Sequence, residues 1–346
     1  MDKVYVATCD HYDISLIQPF LAKVVSDYQA KLMLDDTKTV FIKLNLLTDR
    51  TPEECTTTHP IFTQALIKVL KQYGCKIILG DSPAGKANKA RMDVIYDKTG
   101  YRALAKAEQV ELCYDMTAIK INNIQQVKTM HDADIVINAC KMKTHSLTTF
   151  TGAVKNCFGS VPEDVKYHQH ALHPITRKFC EYLIKVAETL KPEFSIMDGI
   201  MAMSKNGPSN GEPYPAGLML ASDNPYALDH YALLLLQIPN NLVHTDLIAK
   251  KKGLYGKVEL VSDKALKDLL RYDFQLPDSS TLLNKMRETK LPRFEPELCI
   301  GCQACYEGCP QQTIIMVDNK AKLKPEKCIK CYCCQEICPV NAIKID

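Results

Sequence analysis

The sequence has no long apolar run and no long run of charge of one sign. Its longest apolar stretch, Ala232 to Leu236 extended by Ile238, is far shorter than the roughly 18 residues that span a bilayer, so we expect no membrane span. The 43 basic and 40 acidic residues nearly balance, so we expect no nucleic-acid partner. The first residues, MDKVYVATCD, lack the basic segment and apolar run of a secretory signal, which predicts a cytoplasmic location.

Nucleotide-binding signatures are missing or incomplete. No G-x-G-x-x-G motif follows any expected strand, so a dinucleotide bound in the Rossmann manner is not indicated. The segment from Gly80 to Ala87 has the spacing of a phosphate-binding P-loop, but Ala87 lacks the hydroxyl that would hold magnesium and Pro83 lacks an amide donor. We interpret this segment as a strand-to-helix loop that faces a cleft.

Cysteine, by contrast, is abundant, with sixteen residues. Because a cytoplasmic compartment keeps thiols reduced, metal ligation explains most of them better than a disulfide framework. Nine of the sixteen lie between Cys299 and Cys338, in the motifs CIGCQACYEGCP and CIKCYCCQEICP. Both motifs follow the pattern C-x2-C-x2-C-x3-C-P, so the C-terminal segment is a separate module.

In this pattern, three closely spaced cysteines bind one 4Fe-4S cluster and the fourth cysteine binds the other cluster. The spacing therefore predicts two 4Fe-4S clusters, one bound by Cys299, Cys302, Cys305 and Cys338, and the other by Cys328, Cys331, Cys334 and Cys309. Zinc also binds C-x2-C pairs, but two zinc sites do not require the third cysteine and the Cys-Pro of each motif. Cys333 is left over, either as a bystander thiol or as an alternative ligand.

The module closely resembles bacterial ferredoxins, which implies a pseudo-twofold layout. The segments Thr313 to Val317 and Ala342 to Ile345 are expected to be short strands that pair with each other. Upstream, short runs rich in β-branched residues alternate with helical patterns, which indicates an α/β fold with a largely parallel, Rossmann-like sheet. We expect an α/β domain at 1–276, a linker at 277–292 and a small α+β ferredoxin-like domain at 293–346.

Within the α/β region, strands are expected at Val4 to Ala7, Thr39 to Leu44, Lys76 to Leu79, Asp134 to Asn138, Ser195 to Met201 and Gly217 to Ala221. Helices are expected at Ile61 to Tyr73, Arg91 to Glu108, Ile175 to Leu190 and Pro225 to Gln237.

Polar residues cluster after the expected strand at Asp134 to Asn138. Ligands of open α/β sheets bind at the carboxyl ends of strands, and lysines, hydroxyls and amides at the start of a helix suit an anion. We therefore expect an anionic small molecule here. The predicted catalytic residues are His145, Lys155, Lys143 and Asp198, and the predicted substrate-binding residues are Lys141, Thr144, Asn156 and His170. The alternative interpretation is that Lys141 and Lys143 are merely solvated and that His145 is an ordinary loop histidine with its hydrogen bonds satisfied.

The segment Asp134 to Gly159, with Asp198-Gly199-Ile200, Asn206-Gly207-Pro208, Gly211 and Pro225 to Asp229, resembles the family catalogued as domain of unknown function 362. That family often carries a fused double-cluster ferredoxin, so the resemblance implies the same architecture, and a fold more than a reaction. Two departures are Cys140, where the family usually has proline, and Ser204-Lys205, which replaces an expected Glu-Gly.

A shorter motif, made by His145, Phe150, Thr151, Gly152 and Lys155, is similar to one in the nickel-pincer lactate racemase family. In that family the lysine anchors a nucleotide-derived cofactor and the histidine binds nickel or moves a proton. The similarity implies a shared fold rather than shared chemistry.

Three functions are compatible with these features. The first is an iron-sulfur oxidoreductase of anaerobic metabolism, which exchanges electrons with a low-potential donor or acceptor protein and reduces an anionic small molecule or a cofactor in the cleft. In it, Lys141, Lys143 and Lys155 hold the anion and His145 transfers the accompanying proton. The second is a non-catalytic electron carrier that docks a partner enzyme, and the third is a redox-neutral racemase or isomerase.

Overall fold

The chain folds into alternating strands and helices in residues 1–84, 87–173, 175–277 and 290–345, which the computed structural model describes. Its strands are β1 (Asp2–Thr8), β2 (Thr39–Lys43), β3 (Lys76–Gly80), β4 (Glu111–Leu112), β5 (Ala118–Ile121), β6 (Ile124–Val127), β7 (Ile135–His145), β8 (Thr149–Thr151), β9 (Phe194–Ser204), β10 (Glu212–Tyr214), β11 (Leu218–Ser222), β12 (Val258–Val261), β13 (Arg293–Phe294), β14 (Ile314–Val317), β15 (Lys320–Leu323) and β16 (Ile343–Lys344).

The α-helices are α1 (Ile14–Leu32), α2 (Pro60–Leu70), α3 (Lys89–Lys98), α4 (Tyr101–Glu108), α5 (Lys128–Asp132), α6 (Ala153–Asn156), α7 (Glu163–Leu172), α8 (Thr176–Leu190), α9 (Pro225–Leu235), α10 (His244–Lys251), α11 (Leu266–Leu269), α12 (Ala304–Glu307) and α13 (Cys333–Glu336). Within the described ranges, no helix is long and apolar enough to cross a membrane.

The largest sheet has the strand order β12-β1-β11-β9-β7-β2-β3-β4, with β8 and β10 paired to β7 and β9. Strands β9, β7, β2, β3 and β4 run parallel to one another, while β11 is antiparallel to its neighbours. The predicted α/β fold with a mostly parallel sheet is confirmed. The chain moves outward from β2 through β3 to β4 on one side and from β7 to β9 on the other. The topological switch point therefore lies between β2 and β7, where open α/β sheets bind ligands.

Both faces of this sheet are covered because its strands are apolar on both sides. Val40 and Ile42 of β2 pack into one core with buried residues of α1 and α2, such as Leu21 and Leu66. Phe41, between them, points to the opposite core, which α8 covers. The period of two along β2 thus buries successive side chains in different layers.

Two elements differ from the sequence prediction. The strand expected to end near Asn138 continues to His145, because β8 folds back and pairs with its last residues, Lys143 with Thr151 and His145 with Thr149. The single helix expected from Arg91 to Glu108 is instead α3 and α4, because Gly100 adopts a left-handed conformation with φ of +80°. Glycine reaches this conformation without a Cβ clash, so it ends the first helix and begins the second.

The C-terminal region forms small strands and helices, as predicted for a small α+β module. The expected pairing of its two strands with each other is wrong: β14 pairs with β15, and β16 pairs with β13. Asp318 and Asn319 explain the first pairing, since both have positive φ (50° and 58°) and form a two-residue hairpin turn. Of the predicted linker at 277–292, residues 278–289 lie outside the described residues, so its bounds stay a prediction.

A close approach at Gly159 brings the turn after α6 against the ends of β2 and β3. The Gly159 carbonyl accepts a hydrogen bond from the Ser82 amide at 2.9 Å. A Cβ on Gly159 would overlap both the Asp81 carboxylate and the Lys43 ammonium, which form a buried ion pair. Only glycine leaves room for this pair beneath the turn.

Gly159→Ala is therefore expected to separate the Lys43–Asp81 pair and to lower the free energy of unfolding by about 3–5 kcal/mol, the cost typical of breaking a buried ion pair. Urea unfolding measures this change. Gly256→Ala is the matched control, because the nearest atom to its Cβ, Asp2 Oδ2, lies at 4.0 Å. Equal losses in the two variants would contradict the proposed clash.

Candidate functional site

A cleft lies at the carboxyl ends of β2, β3 and β7, beside the topological switch point. Its polar lining residues are Lys43, Asn45, Asp81, Ser82, Lys143, Thr151, Lys155 and Asn156. Residues 81–84 belong to this lining, as expected of a loop that faces the cleft, while Gly85 and Lys86 lie outside the described residues. Three predicted site residues, Lys143, Lys155 and Asn156, are thus brought together.

Lys43 and Asp81 form the floor of the cleft and were not identified from the sequence. Lys43 Nζ lies 2.8 Å from Asp81 Oδ1, and both side chains are almost completely buried. Lys43 also donates to the Leu44 carbonyl at 2.7 Å and to Asn156 Oδ1 at 3.2 Å. Both residues stand at the ends of expected strands, and this position was the feature of the sequence that could have identified them as site residues.

Lys143 and Lys155 have no ion pair with any described carboxylate. Lys143 Nζ donates to the Thr56 carbonyl at 2.6 Å, and its side chain is 1% exposed. Burial, followed by the charges of Lys155 and Lys141, lowers the pKa of Lys143 well below its ordinary value. Lys155 is half-buried and makes no hydrogen bond to any described residue. Burial also lowers the pKa of Lys155, although Glu336 opposes the shift.

Besides Asp81 Oδ1, which forms the ion pair with Lys43, three buried oxygen atoms of the lining have no hydrogen-bond partner among the described residues. They are Asn45 Oδ1, Ser82 Oγ and Thr151 Oγ1. Buried polar atoms are normally paired, so an unpaired set on one cleft suits a ligand that carries polar groups of its own. Asn156 differs, because its amide already donates to Asn138 Oδ1 at 2.7 Å and accepts from Lys43.

Lys141 and Asp198 lie in a separate, closed network. Lys141 Nζ is 2.8 Å from Asp198 Oδ2, and both side chains are fully buried. The Tyr12 hydroxyl lies 2.9 Å from each of them, and the His59 amide donates to Asp198 at 2.9 Å. Neither residue lines the cleft. Their predicted binding and catalytic roles stay predictions that this placement does not support.

Two other predicted residues also lie away from the cleft lining. The Thr144 hydroxyl accepts a hydrogen bond from the Gly207 amide at 3.2 Å. His170 stacks on Phe179, with ring centroids 4.4 Å apart, and meets Phe158 edge-on. Both side chains are buried, so packing explains their positions.

His145 connects the α/β domain to the cysteine module. Its Nδ1 accepts from the Leu147 amide at 3.0 Å, so the neutral ring carries its proton on Nε2. Nε2 lies 3.3 Å from Glu336 Oε1, at the end of α13. The Ser209 hydroxyl donates to the Glu336 carbonyl at 2.6 Å, and the charge of Glu336 acts on Lys155. The second cysteine motif therefore packs beside the cleft.

The eight motif cysteines surround two cavities. Cys309, Cys328, Cys331 and Cys334 line one, and Cys299, Cys302, Cys305 and Cys338 line the other. These are the crossed groups that the spacing predicts, and four thiols around such a cavity fit a cubane cluster. Cys333 is buried but lines neither cavity.

Backbone amides point at cysteine sulfurs in both cavities. The Thr313 amide donates to Cys309 Sγ at 3.3 Å, and the Ala342 amide donates to Cys338 Sγ at 3.2 Å. Hydrogen bonds to sulfur are among the factors that set the reduction potential of an iron-sulfur cluster.

Residues 40–233 match the family model described as domain of unknown function (DUF362), and residues 291–339 match that of a 4Fe-4S dicluster domain. The chain is 34% identical over 223 residues to the Thylakoid-associated protein sll1697 of Synechocystis sp., covering 62% of this chain and 68% of that protein. The two resemblances drawn from the motifs are confirmed, and the C-terminal region is an iron-sulfur domain. A cytoplasmic location stays a prediction.

Among solved structures, the chain is similar to the lactate racemase apoprotein from Thermoanaerobacterium thermosaccharolyticum, with a TM-score of 0.42 and 11% sequence identity. The match covers 68% of this chain and 57% of the racemase chain. The distant structural similarity is thus confirmed, and at this level it carries no argument about activity.

Replacement of the fourth cysteine of each motif tests the crossed grouping. Cys309→Ser should remove the cluster bound by the first three cysteines of the second motif. Cys338→Ser should remove the cluster bound by the first three cysteines of the first motif. Each variant should therefore lose about half of the bound iron. Iron analysis and electron paramagnetic resonance measure this, and Cys333→Ser is the matched control with full iron content. Loss of the same spectroscopic signal in both variants would contradict the grouping.

The lowered pKa of Lys143 predicts a pH dependence of stability. Between that pKa and the unfolded value of about 10.4, the unfolded chain binds the extra proton, so stability rises with pH through this window. Lys143→Met removes the dependence. Measured by urea unfolding from about pH 7 to about pH 10, the free energy of unfolding of the variant should increase relative to that of the wild type as pH falls. The exposed Lys185→Met should show no such trend, and a constant difference for Lys143→Met would contradict the shift.

Proposed function

The chain belongs to the family described as domain of unknown function (DUF362), and we propose that it is an iron-sulfur oxidoreductase. In this proposal two 4Fe-4S clusters relay single electrons to an anionic small molecule, or to a bound cofactor, in the cleft. The observation that carries it is the contact of Glu336, at the end of α13, with His145 and Ser209, together with the action of its charge on Lys155 of the cleft lining. An electron relay requires this proximity, whereas an independent carrier domain does not.

The cysteines of the two cavities would hold the clusters, which supply single electrons when bound. The side chains of the cleft do the rest. The Lys155 ammonium binds the anion, because it makes no hydrogen bond to any described residue. Lys143 has donors left for the same anion, and its lowered pKa suits the transfer of a proton. His145 holds a proton at Nε2 beside Glu336, where a second proton could be delivered.

A redox partner protein has a suitable surface at the first cavity. Cys302 is an exposed cysteine in that lining, and it is flanked by the exposed side chains of Leu298, Ile300 and Tyr306. We propose that electrons pass between the partner and the cleft through the cavity of the first motif and then through that of the second motif, whose Cys334 lies on α13 with Glu336.

Lys155→Met tests the proposal in the reconstituted, anaerobic protein. The visible absorbance of the reduced clusters is followed after addition of a panel of anionic acceptors. The variant should be reoxidised at least about tenfold more slowly than the wild type, because a charged hydrogen bond to the anion is lost. Its iron content and its reduction by dithionite should not change.

Lys185→Met, which alters an exposed lysine of α8, is the control and should behave as wild type. Full activity of Lys155→Met would show that the anion site is placed wrongly. A wild type that no acceptor reoxidises would favour the non-catalytic carrier, and turnover without a reductant would favour the isomerase.

A further inference from the structure

The amides and side chains of the cleft distinguish between classes of anion. We propose that its ligand is a small carboxylate that carries further hydrogen-bonding groups, and that it is not a phosphorylated compound. This inference rests on the proposed function for the site, and it adds the chemical class of the substrate.

Phosphate groups are usually held by several backbone N–H groups, in a glycine-rich loop or at a helix N-terminus. The loop after β3 is the first place where such donors could occur. Its Ser82 amide donates to the Gly159 carbonyl at 2.9 Å, and its Ala84 amide donates to the Leu47 carbonyl at 3.0 Å. Pro83, between them, has no amide hydrogen. The backbone of these three residues therefore has no N–H group left to donate to a phosphate.

The start of α6 is the second such place, and a carboxylate of the chain already occupies it. Asp229 accepts hydrogen bonds from the amides of Ala153 at 2.5 Å and Val154 at 3.0 Å. Asp229 lies so close that a Cβ on Gly152 would overlap its carboxylate. Burial raises the pKa of Asp229 to about 7, and a phosphate at this position would have to displace this carboxyl group from both amides.

Among the described residues, the amino groups of Lys143 and Lys155 remain for an anion; Gly85 and Lys86 of the loop after β3 lie outside the described residues. Lys43 is neutralised by Asp81, whereas Lys143 and Lys155 have no ion pair with a described carboxylate. Their charges are close enough for Lys155 to lower the pKa of Lys143. Two ammonium donors suit the two oxygens of one carboxylate.

The unpaired oxygens of Asn45, Ser82 and Thr151 belong to the same lining. These side chains are 8%, 2% and 3% exposed, so water reaches them poorly. A site built to hydrogen-bond a substrate rejects an analogue that lacks the matching groups. The ligand therefore carries hydroxyl, carbonyl or amino groups in addition to its carboxylate.

A matched set of three probes separates these features. Glycerate has a carboxylate and two hydroxyls, propanoate has the carboxylate alone, and glycerol phosphate replaces the carboxylate with a phosphate. Isothermal titration calorimetry of the oxidised holo-protein measures the three affinities without any reductant. Glycerate should bind at least about tenfold tighter than propanoate, and tighter than glycerol phosphate.

Two variants assign the effect to residues. Lys155→Met should weaken glycerate and propanoate by the same factor. The nearly isosteric Thr151→Val should weaken the binding of glycerate but not that of propanoate, and so reduce the difference between the two affinities. Thr99→Val is the control for packing, because it removes a buried hydroxyl at the C-cap of α3.

Tighter binding of glycerol phosphate, no measurable binding of glycerate, or an unchanged preference in Thr151→Val would overturn the assignment. Because no electron transfer is involved, these outcomes are independent of whether the protein is a reductase. If the protein binds glycerate as expected but no acceptor reoxidises its clusters, the inferred ligand class is supported and the proposed function is contradicted.

Discussion

Removal of lysine ammonium groups from water is the constraint on which the centre of this molecule depends. Lys43, Lys141 and Lys143 are each at most 1% exposed. A buried ammonium costs several kcal/mol unless acceptors or a carboxylate replace its water. Lys43 and Lys141 each receive a carboxylate from a neighbouring strand or strand end, Asp81 and Asp198. Lys143 receives only the Thr56 carbonyl among its described hydrogen-bond partners.

This difference divides the polar residues into a framework and a site. The Lys141–Asp198 pair joins β7 to β9, and the Lys43–Asp81 pair joins the end of β2 to the loop after β3. Both pairs hold neighbouring strand ends together. Lys143 has no ion pair with a described carboxylate, and burial lowers its pKa, which is how groups at functional sites commonly differ from structural ion pairs.

The cysteine module completes the site from the opposite side. Glu336 ends α13 only two residues before Cys338, and its carboxylate and carbonyl contact His145 and Ser209. A residue next to a cluster ligand thus touches the residue predicted to move the proton. The same helix contains Cys334, which lines one cavity together with Cys309, Cys328 and Cys331.

The sequence by itself determined the parts whose signal is local. Cysteine spacing predicted the crossed ligand groups because the C-x2-C-x2-C-x3-C-P pattern constrains the chain around each cluster. The short apolar runs rich in β-branched residues predicted β1, β2 and β3 closely, and the mostly parallel sheet followed from their alternation with helices. Polar residues after a buried strand indicated the cleft, and Lys143, Lys155 and Asn156 do line it.

Only the tertiary structure decided which polar residues share that cleft, because pairing across strands joins residues far apart in the chain. Asp198 is 57 residues from Lys141, and the register of β7 against β9 makes them partners. Lys43 and Asp81 come from different strands that meet the cleft through sheet order. The contact of Glu336 with His145 depends on how the module packs on the α/β domain, and no local pattern in the sequence encodes that.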